Sequence, residues 1–95
     1  AYPNPSSQYF YFQFVLTGSD LPQEFSLSIY SLTGSLIRSF TEEDLSGFTI
    51  GTNELVWEAQ EATGTELPSG VYTYRMYLRT ASYQQQVTGK LVLIR

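Results

Sequence analysis

Hydrophobic and polar residues alternate along several short segments of the chain, and this period of two predicts β-strands. The first segment is residues 9–16 (YFYFQFVL). Its alternation places four apolar side chains on one face, namely Phe10, Phe12, Phe14 and Leu16. Residues 25–30 (FSLSIY) alternate in the same way and turn Phe25, Leu27 and Ile29 to one side. Both segments are therefore expected to pack one face against a core.

A hairpin is predicted where the turn sequence SLTG, residues 31–34, separates residues 25–30 from residues 35–41. Gly34 is the residue of this turn that best tolerates a positive φ. The sequence does not determine which face of the second strand points inward, because Leu36 and Ile37 are adjacent and both apolar.

Three further strands are predicted in the second half of the chain. Residues 52–59 turn Leu55 and Trp57 to one face, and Trp57 is expected to be a core tryptophan. Residues 71–79 place Tyr72, Tyr74, Met76 and Leu78 together. Residues 84–94 return after a turn and are expected to bend at Gly89. The stretches 17–24, 42–51 and 60–70 have no apolar period and predict loops.

Six or seven short strands without a helical segment predict an all-β fold, a single immunoglobulin-like antiparallel β-sandwich of about seven strands over residues 1–95. A chain of 95 residues suits one domain. Aromatic residues make up 16% of the sequence, which supports strands because aromatic side chains favour pleated surfaces.

Charge and composition exclude several classes of partner. The formal net charge is −4 and no basic cluster is present, so no nucleic-acid partner is expected. No apolar run approaches the roughly 20 residues of a membrane-spanning helix, and no signal peptide opens the sequence. The acidic run 42–44 is interpreted as a solvated turn, because it lacks the spacing of ligands in a calcium loop.

No catalytic constellation can be assembled from the sequence. The chain has no histidine to serve as a base and no cysteine to serve as a nucleophile or thiolate ligand. The carboxylates of Glu54, Glu58, Glu61 and Glu66 lie in polar contexts, and the sole lysine, Lys90, is not part of a known serine–lysine signature. We therefore expect no enzyme activity, no metal site and no cofactor.

The tyrosines give one alternative. Tyr9, Tyr11, Tyr30 and Tyr77 fall on the faces predicted to point outward, where they are expected to be structural cross-strand neighbours. A sugar-stacking platform is the less favoured interpretation, and it would make the chain a carbohydrate-binding module.

The segment KLVLIR at the end of the sequence has apolar residues on both faces of one strand. In a two-layer sandwich only one face is buried, so either Leu91 and Leu93 or Val92 and Ile94 should point outward. Covering by a loop or a neighbouring strand would explain this pattern. The alternative is a docking surface formed by Lys90, Leu91, Val92, Leu93, Ile94 and Arg95.

Several motifs together resemble a known family. The segments YPNPSS, FSLSIYSLTGSLIRSF, GTNELVWEAQEATGTELPSGVYTYRMYL and GKLVLIR occur in the order typical of C-terminal sorting domains of the Bacteroidetes type IX secretion system and of FlgD-like immunoglobulin modules. The resemblance covers almost the whole chain. Residues 57–67 are more typical of the FlgD-like module, since many sorting domains lack them.

The resemblance implies a C-terminal domain of a larger secreted protein, recognised by the type IX translocon and sortase components and carried through the periplasm to the outer membrane surface. The resemblance does not indicate whether the domain is cleaved from the rest of the protein. An accessory FlgD-like structural module is the alternative. The implied recognition element is residues 90–95. The implied structural motif residues are Pro3, Asn4, Pro5, Gly34, Gly51, Asn53, Trp57, Pro68, Ser69, Gly70, Tyr72 and Gly89, with Gly70 allowing a tight start to its strand and Tyr72 packing inward.

Overall fold

The computed structural model describes residues 2–16, 22–44, 48–61 and 63–95. These residues form six strands and one 3-10 turn. The strands are β1 (Phe10–Leu16), β2 (Glu24–Ser31), β3 (Leu36–Thr41), β4 (Gly51–Trp57), β5 (Gly70–Arg79) and β6 (Gln84–Leu93), and the 3-10 turn is Glu42–Asp44. The predicted all-β fold is confirmed. The predicted loop at 17–24 lies for the most part outside the described residues.

Two antiparallel sheets face each other. The larger sheet has the strand order β3-β2-β5-β6, and the smaller one consists of β1 and β4. The predicted hairpin of residues 25–30 and 35–41 corresponds to β2 and β3, and Gly34 in its turn has a φ of 95°. The sandwich architecture expected from the sequence is therefore present.

The core lies between the sheets and consists of the inward side chains that the alternation predicted. Every predicted inward residue of β1 and β2 is buried. Aromatic rings join the layers: Phe14 stacks on Phe25 with ring centroids 5.1 Å apart, and Phe12 meets the Tyr74 ring edge-on at the same distance. Trp57 is 3% exposed and stacks on Phe10, so its prediction as a core residue is confirmed.

A bulge in β3 determines which of Leu36 and Ile37 points inward, which the sequence alone does not show. Ile29 pairs with Arg38 and Tyr30 pairs with Leu36, so Ile37 is the extra residue. Leu36 is exposed, whereas Ile37 packs partly against the core. Farther along β3, the inward ring of Phe40 is covered by the Arg38 guanidinium at 4.3 Å.

The acidic turn Glu42–Asp44 is exposed on all three residues, as its interpretation as a solvated turn requires. Asp44 accepts a hydrogen bond from the Thr41 backbone N–H at 2.8 Å, which caps the end of β3. Within the part of the chain that the structure describes, no helix has the length and apolar character needed to cross a membrane.

Candidate functional site: the C-terminal strand

The C-terminal strand has one buried face and one outward face. Leu91 and Leu93 are 0% and 1% exposed and lie opposite Tyr72 and Gly70 of β5. Val92 is half-buried, and Ile94 is 56% exposed. Of the two arrangements left open by the sequence, Leu91 and Leu93 are thus the inward pair. Each stabilises the fold by about 1.5–3 kcal/mol through burial, and in the folded domain neither side chain is accessible to a partner.

The N-terminal segment, residues 2–9, covers the edge of β6 next to this face. Asn4 donates its side-chain N–H to the Lys90 carbonyl at 2.8 Å and accepts the Val92 N–H at 2.9 Å. Ser6 continues the contact, because its N–H donates to the Val92 carbonyl and its carbonyl accepts the Ile94 N–H. This is a short parallel pairing with Leu93. The segment therefore pairs with the backbone of β6 along this edge, while the half-buried side chain of Val92 stays on the outward face.

Arg95 folds back onto the loops. Its guanidinium donates to the carbonyls of Leu67 at 2.5 Å, Ala59 at 3.1 Å and Ser7 at 3.4 Å. Its backbone N–H donates to the Ser69 hydroxyl at 2.8 Å. An ion pair with Glu66 at 3.8 Å completes the set. A planar guanidinium suits such a set of acceptors because its five donors are fixed in a fork.

The six residues proposed for docking are therefore divided among different environments. Leu91 and Leu93 are core residues, and Arg95 is held by loop carbonyls. The side chain of Lys90 is exposed beside Thr73, while its carbonyl accepts the bond from Asn4. Lys90, Val92 and Ile94 are the members whose side chains reach the surface, and we call these three residues the terminal surface.

Motif residues near β4 organise its start. Gly51 has a φ of 108°, in the left-handed region that disfavours other residues. Asn53 holds the preceding loop, because its side chain accepts the Thr49 N–H at 3.0 Å and donates to the Thr49 carbonyl at 2.8 Å. Trp57 donates its ring N–H to the Gln60 carbonyl at 2.9 Å. These contacts give a structural reason for the GTN…W pattern.

The PSGVY motif opens β5. Tyr72 is buried as predicted, and its hydroxyl donates to the Pro68 carbonyl at 2.7 Å, which resembles the tyrosine corner of immunoglobulin-like domains. Ser69 holds the backbone of Arg95. Gly70 is expected to allow a tight start to this strand, but its φ is outside the left-handed region and an added Cβ would meet only Tyr72, at 3.9 Å, so the geometry at Gly70 does not itself demand glycine.

Gly89 is needed for close packing against the neighbouring strand. The pairing of β5 with β6 continues through it without a register shift, so no bulge is present there. An added Cβ would lie 2.7 Å from the Tyr74 ring. Glycine is needed because the ring of Tyr74, on the paired strand β5, lies across this position, as aromatic rings do over glycine in other sheets.

The outward tyrosines do not form one platform. Tyr11 belongs to β1 in the two-stranded sheet, where it contacts Tyr2 and Tyr9 with centroids 5.2 and 5.1 Å apart. Tyr30 and Tyr77 belong to the four-stranded sheet. Together with the burial of Trp57, this separation removes the geometric support for a continuous sugar-stacking surface.

Three tyrosines have raised pKa values. The pKa of Tyr2 lies above its ordinary 10.0 because its hydroxyl donates to the Glu54 carboxylate, and loss of hydration adds to this. The neighbouring Tyr9 raises the pKa of Tyr11. Burial raises the pKa of Tyr72, while the positive charge of Arg95 partly opposes the shift. All three are neutral at physiological pH.

An apolar groove of about 330 Å³ opens between the edge of β1 and β6, where Phe12, Phe14, Met76 and Val87 contribute to its lining. Among the described residues, no group of three or more histidine, cysteine, aspartate or glutamate side chains is placed to hold a metal ion. The polar edge expected at Gln84–Gln86 is confirmed, since all three residues are exposed on β6.

The sequence does not predict the contacts that join the two ends of the described chain to the rest of the fold. Asn4 is expected there as a structural motif residue and Arg95 as a member of the docking segment, and neither expectation specifies a partner. Their partners are 86 and 88 positions away for Asn4 and 28–88 positions away for Arg95. No local pattern reveals contacts at such separations.

Comparison with known proteins gives a consistent result. A family model described as the secretion system C-terminal sorting domain matches residues 1–94. The fold is similar to the crystal structure of dimeric latent PorU from Porphyromonas gingivalis, with a TM-score of 0.69 and 24% identity over 98% of this chain. The chain spans 9% of the length of that PorU chain, and the likeness shows the fold. No curated protein matches in sequence.

Proposed function

The chain belongs to the family of secretion system C-terminal sorting domains, which are sorting signals of type IX secretion, and from this premise we propose how it is recognised. The translocon recognises the folded domain by binding the terminal surface, which consists of Lys90, Val92 and Ile94. It does not recognise an unfolded tail. The observation that carries this proposal is that Leu91 and Leu93 are buried in the core and Arg95 is bound to loop carbonyls, which leaves Lys90, Val92 and Ile94 as a defined outward face.

The family role implies secretion to the cell surface of Bacteroidetes. We also propose the route by which the domain and its cargo reach the cell surface. The domain follows the body of a larger secreted protein, crosses the periplasm with it, and meets the translocon and then the sortase components at the outer membrane. The sequence resemblance supports this route.

We further propose that the domain acts by binding and not by catalysis. The sequence contains no histidine and no cysteine, and every acidic side chain that the structure describes is exposed. Any cleavage of the domain from its cargo would then need a host enzyme. Processing of a fusion protein by the purified domain alone would contradict this proposal.

The test attaches the domain to the C-terminus of a periplasmic reporter in a type IX-competent bacterium. Surface reporter is measured by protease accessibility, with a translocon-deficient host as the control. We expect the fusion to reach the surface only in the competent host. Retention in the periplasm of both hosts would contradict the sorting role.

The terminal surface is tested with variants that keep the fold. Deleting residues 90–95 would remove Leu91, Leu93 and Arg95 and so confound recognition with unfolding. The informative variant is Val92→Thr/Ile94→Gln, and its matched control is Val15→Thr/Val56→Gln on the exposed face of the two-stranded sheet. We expect export to fall for the first pair alone. Equal export of both pairs would move recognition away from the terminal surface and leave the sorting role intact.

A further inference from the structure

Charge is distributed unevenly over the two sheets. The outward positions of the four-stranded sheet carry Arg75, Arg79 and Lys90, which are three of the five basic residues in the chain. Among the described strand residues of that face, Glu24 is the single acid, and it forms an ion pair with Arg79 at 3.3 Å. This face is therefore positive in a protein whose formal net charge is −4.

Arg75 and Lys90 are the two uncompensated cations of this face. Both side chains are exposed, and neither forms an ion pair with any acid in the described part of the chain. In the register, Arg75 lies opposite Thr88 and Lys90 opposite Thr73, so the two cations are diagonal neighbours, about 7–8 Å apart between backbones. Paired strands fix the backbone positions of both residues, so binding of a partner orders their side chains without having to order the backbone.

The surroundings of the two cations are those of a protein contact. Tyr30 and Tyr77 are half-buried on the same face, and a shallow depression of about 380 Å³ lies between Tyr30, Arg75 and Lys90. Tyrosine and arginine are enriched in the energetically important parts of protein interfaces. Binding to an anionic membrane generally uses a cluster of about 4–8 basic residues, which this face does not provide.

The acids of the described chain are concentrated elsewhere, and they would orient a partner. They lie in the 3-10 turn, on β4 and in the loops after β4, as Glu42, Glu43, Asp44, Glu54, Glu58, Glu61 and Glu66. An acidic partner is repelled by those regions and attracted to the sheet face, so the charge pattern selects one docking orientation.

We propose that the outer face of the four-stranded sheet, centred on Arg75 and Lys90 and flanked by Tyr30 and Tyr77, binds an acidic protein surface of the secretion machinery. This inference rests on the proposed sorting function and extends it from the terminal surface across β6 to β5. It makes Arg75, which no motif pointed to, a recognition residue.

The test uses the same reporter fusion with charge variants that leave the core intact. Arg75→Gln/Lys90→Gln removes both cations, and Arg75→Lys/Lys90→Arg retains them. Val15→Glu/Val56→Glu is the matched control, because it changes the net charge by the same amount at exposed positions of the two-stranded sheet that have no acidic residue opposite them. Urea unfolding midpoints within error of the parent confirm that each variant is folded.

We expect the neutralised pair to lower the surface reporter about tenfold, equivalent to ~1.4 kcal/mol of lost recognition, while the charge-retaining pair and the matched control are exported normally. Equal export of the neutralised pair would overturn the inference while leaving the sorting function in place. Failure of the parent fusion to reach the surface would overturn both.

A photo-crosslinking residue in place of Tyr77 identifies the class of partner. The expected result is a crosslink to an envelope protein that disappears in the Arg75→Gln/Lys90→Gln background and does not form from Val56 on the other sheet. Adducts with glycan or lipid alone, or a protein crosslink that persists without the two cations, would overturn the proposal.

Discussion

Tyr72 illustrates how much of a single residue's role the sequence reveals. Period-two alternation grouped Tyr72 with Tyr74, Met76 and Leu78, the family resemblance implied that Tyr72 packs inward, and the structure confirms that it is buried. The hydrogen bond from its hydroxyl to the Pro68 carbonyl depends on how the backbone turns before β5, which alternation does not describe. A buried hydroxyl that lacks a partner costs free energy, so this bond is what makes tyrosine preferable to phenylalanine here.

We predict that Tyr72→Phe lowers the free energy of unfolding by about 1 kcal/mol at neutral pH, the typical net worth of one hydrogen bond. Burial raises the pKa of Tyr72 above 10.0 in the folded state. Its contribution is therefore complete below pH 10 and is lost as the pH rises through the folded pKa. Urea melts between pH 8 and pH 11 should show the parent converging toward the variant. A constant difference over this range would contradict the assignment.

Gly89 gives a second prediction at the residue scale. Gly89→Ala would place a methyl group 2.7 Å from the Tyr74 ring and should destabilise the fold by about 1–3 kcal/mol through overpacking. Gly70→Ala on the facing strand is the matched control, because its Cβ meets nothing closer than 3.9 Å. Comparable urea midpoints for the two variants would show that the ring moves aside readily.

At the scale of elements, alternation was sufficient for strands with one buried face. The inward residues of β1, β2, β4 and β5 were all predicted, since a half-buried strand must repeat its environment every second residue. The face of β3 was not predictable because Ile37 is the extra residue of a bulge, and a bulge depends on pairing with β2. The role of Gly89 could not be chosen from the sequence because a glycine within a strand can mark either a bulge or a close neighbour.

The N-terminal segment gives a prediction at this scale. Asn4 donates to the Lys90 carbonyl and accepts the Val92 N–H, so it substitutes for a strand at the edge of β6. Asn4→Ala should lower the unfolding free energy by about 1 kcal/mol and speed amide hydrogen exchange at Val92. Asn4→Asp keeps the acceptor and should protect the Val92 amide at an intermediate level. Unchanged exchange in Asn4→Ala would mean that Ser6 alone holds the segment.

At the scale of the whole molecule, the sequence predicted the class of fold but not its assembly. Hairpin turns identify chain neighbours, whereas the order β3-β2-β5-β6 requires β2 and β5 to pair across 38 intervening residues, from Ser31 to Gly70. The arrangement of the candidate site also depends on long-range contacts that the sequence does not reveal. Six consecutive residues were proposed as one docking surface, but alternation and long-range contacts separate them into two core residues, a loop clamp and three outward side chains.

Arg95 provides the prediction that belongs to this scale, because it joins the N-terminal segment, through Ser7, to both ends of the connection between β4 and β5, through Ala59 and Leu67. Arg95→Ala leaves these carbonyls without their charged donor and should cost about 2–3 kcal/mol in urea unfolding. Arg95→Lys should recover only part of this, since an ammonium lacks the planar fork. Glu66→Gln tests the alternative that the exposed ion pair matters most, and its cost should stay below about 1 kcal/mol.

If Glu66→Gln and Arg95→Ala lower the free energy of unfolding equally, the ion pair with Glu66 accounts for the contribution of Arg95. If Arg95→Ala is instead the more destabilising variant, as predicted, export of an Arg95→Ala fusion should fall only as far as its folded fraction falls. A stabilising background should then restore export. Loss of export from a fully folded Arg95→Ala domain would instead make Arg95 part of the recognised surface. The role of the chain end in sorting can therefore be separated from its role in folding by measuring both quantities on the same variant.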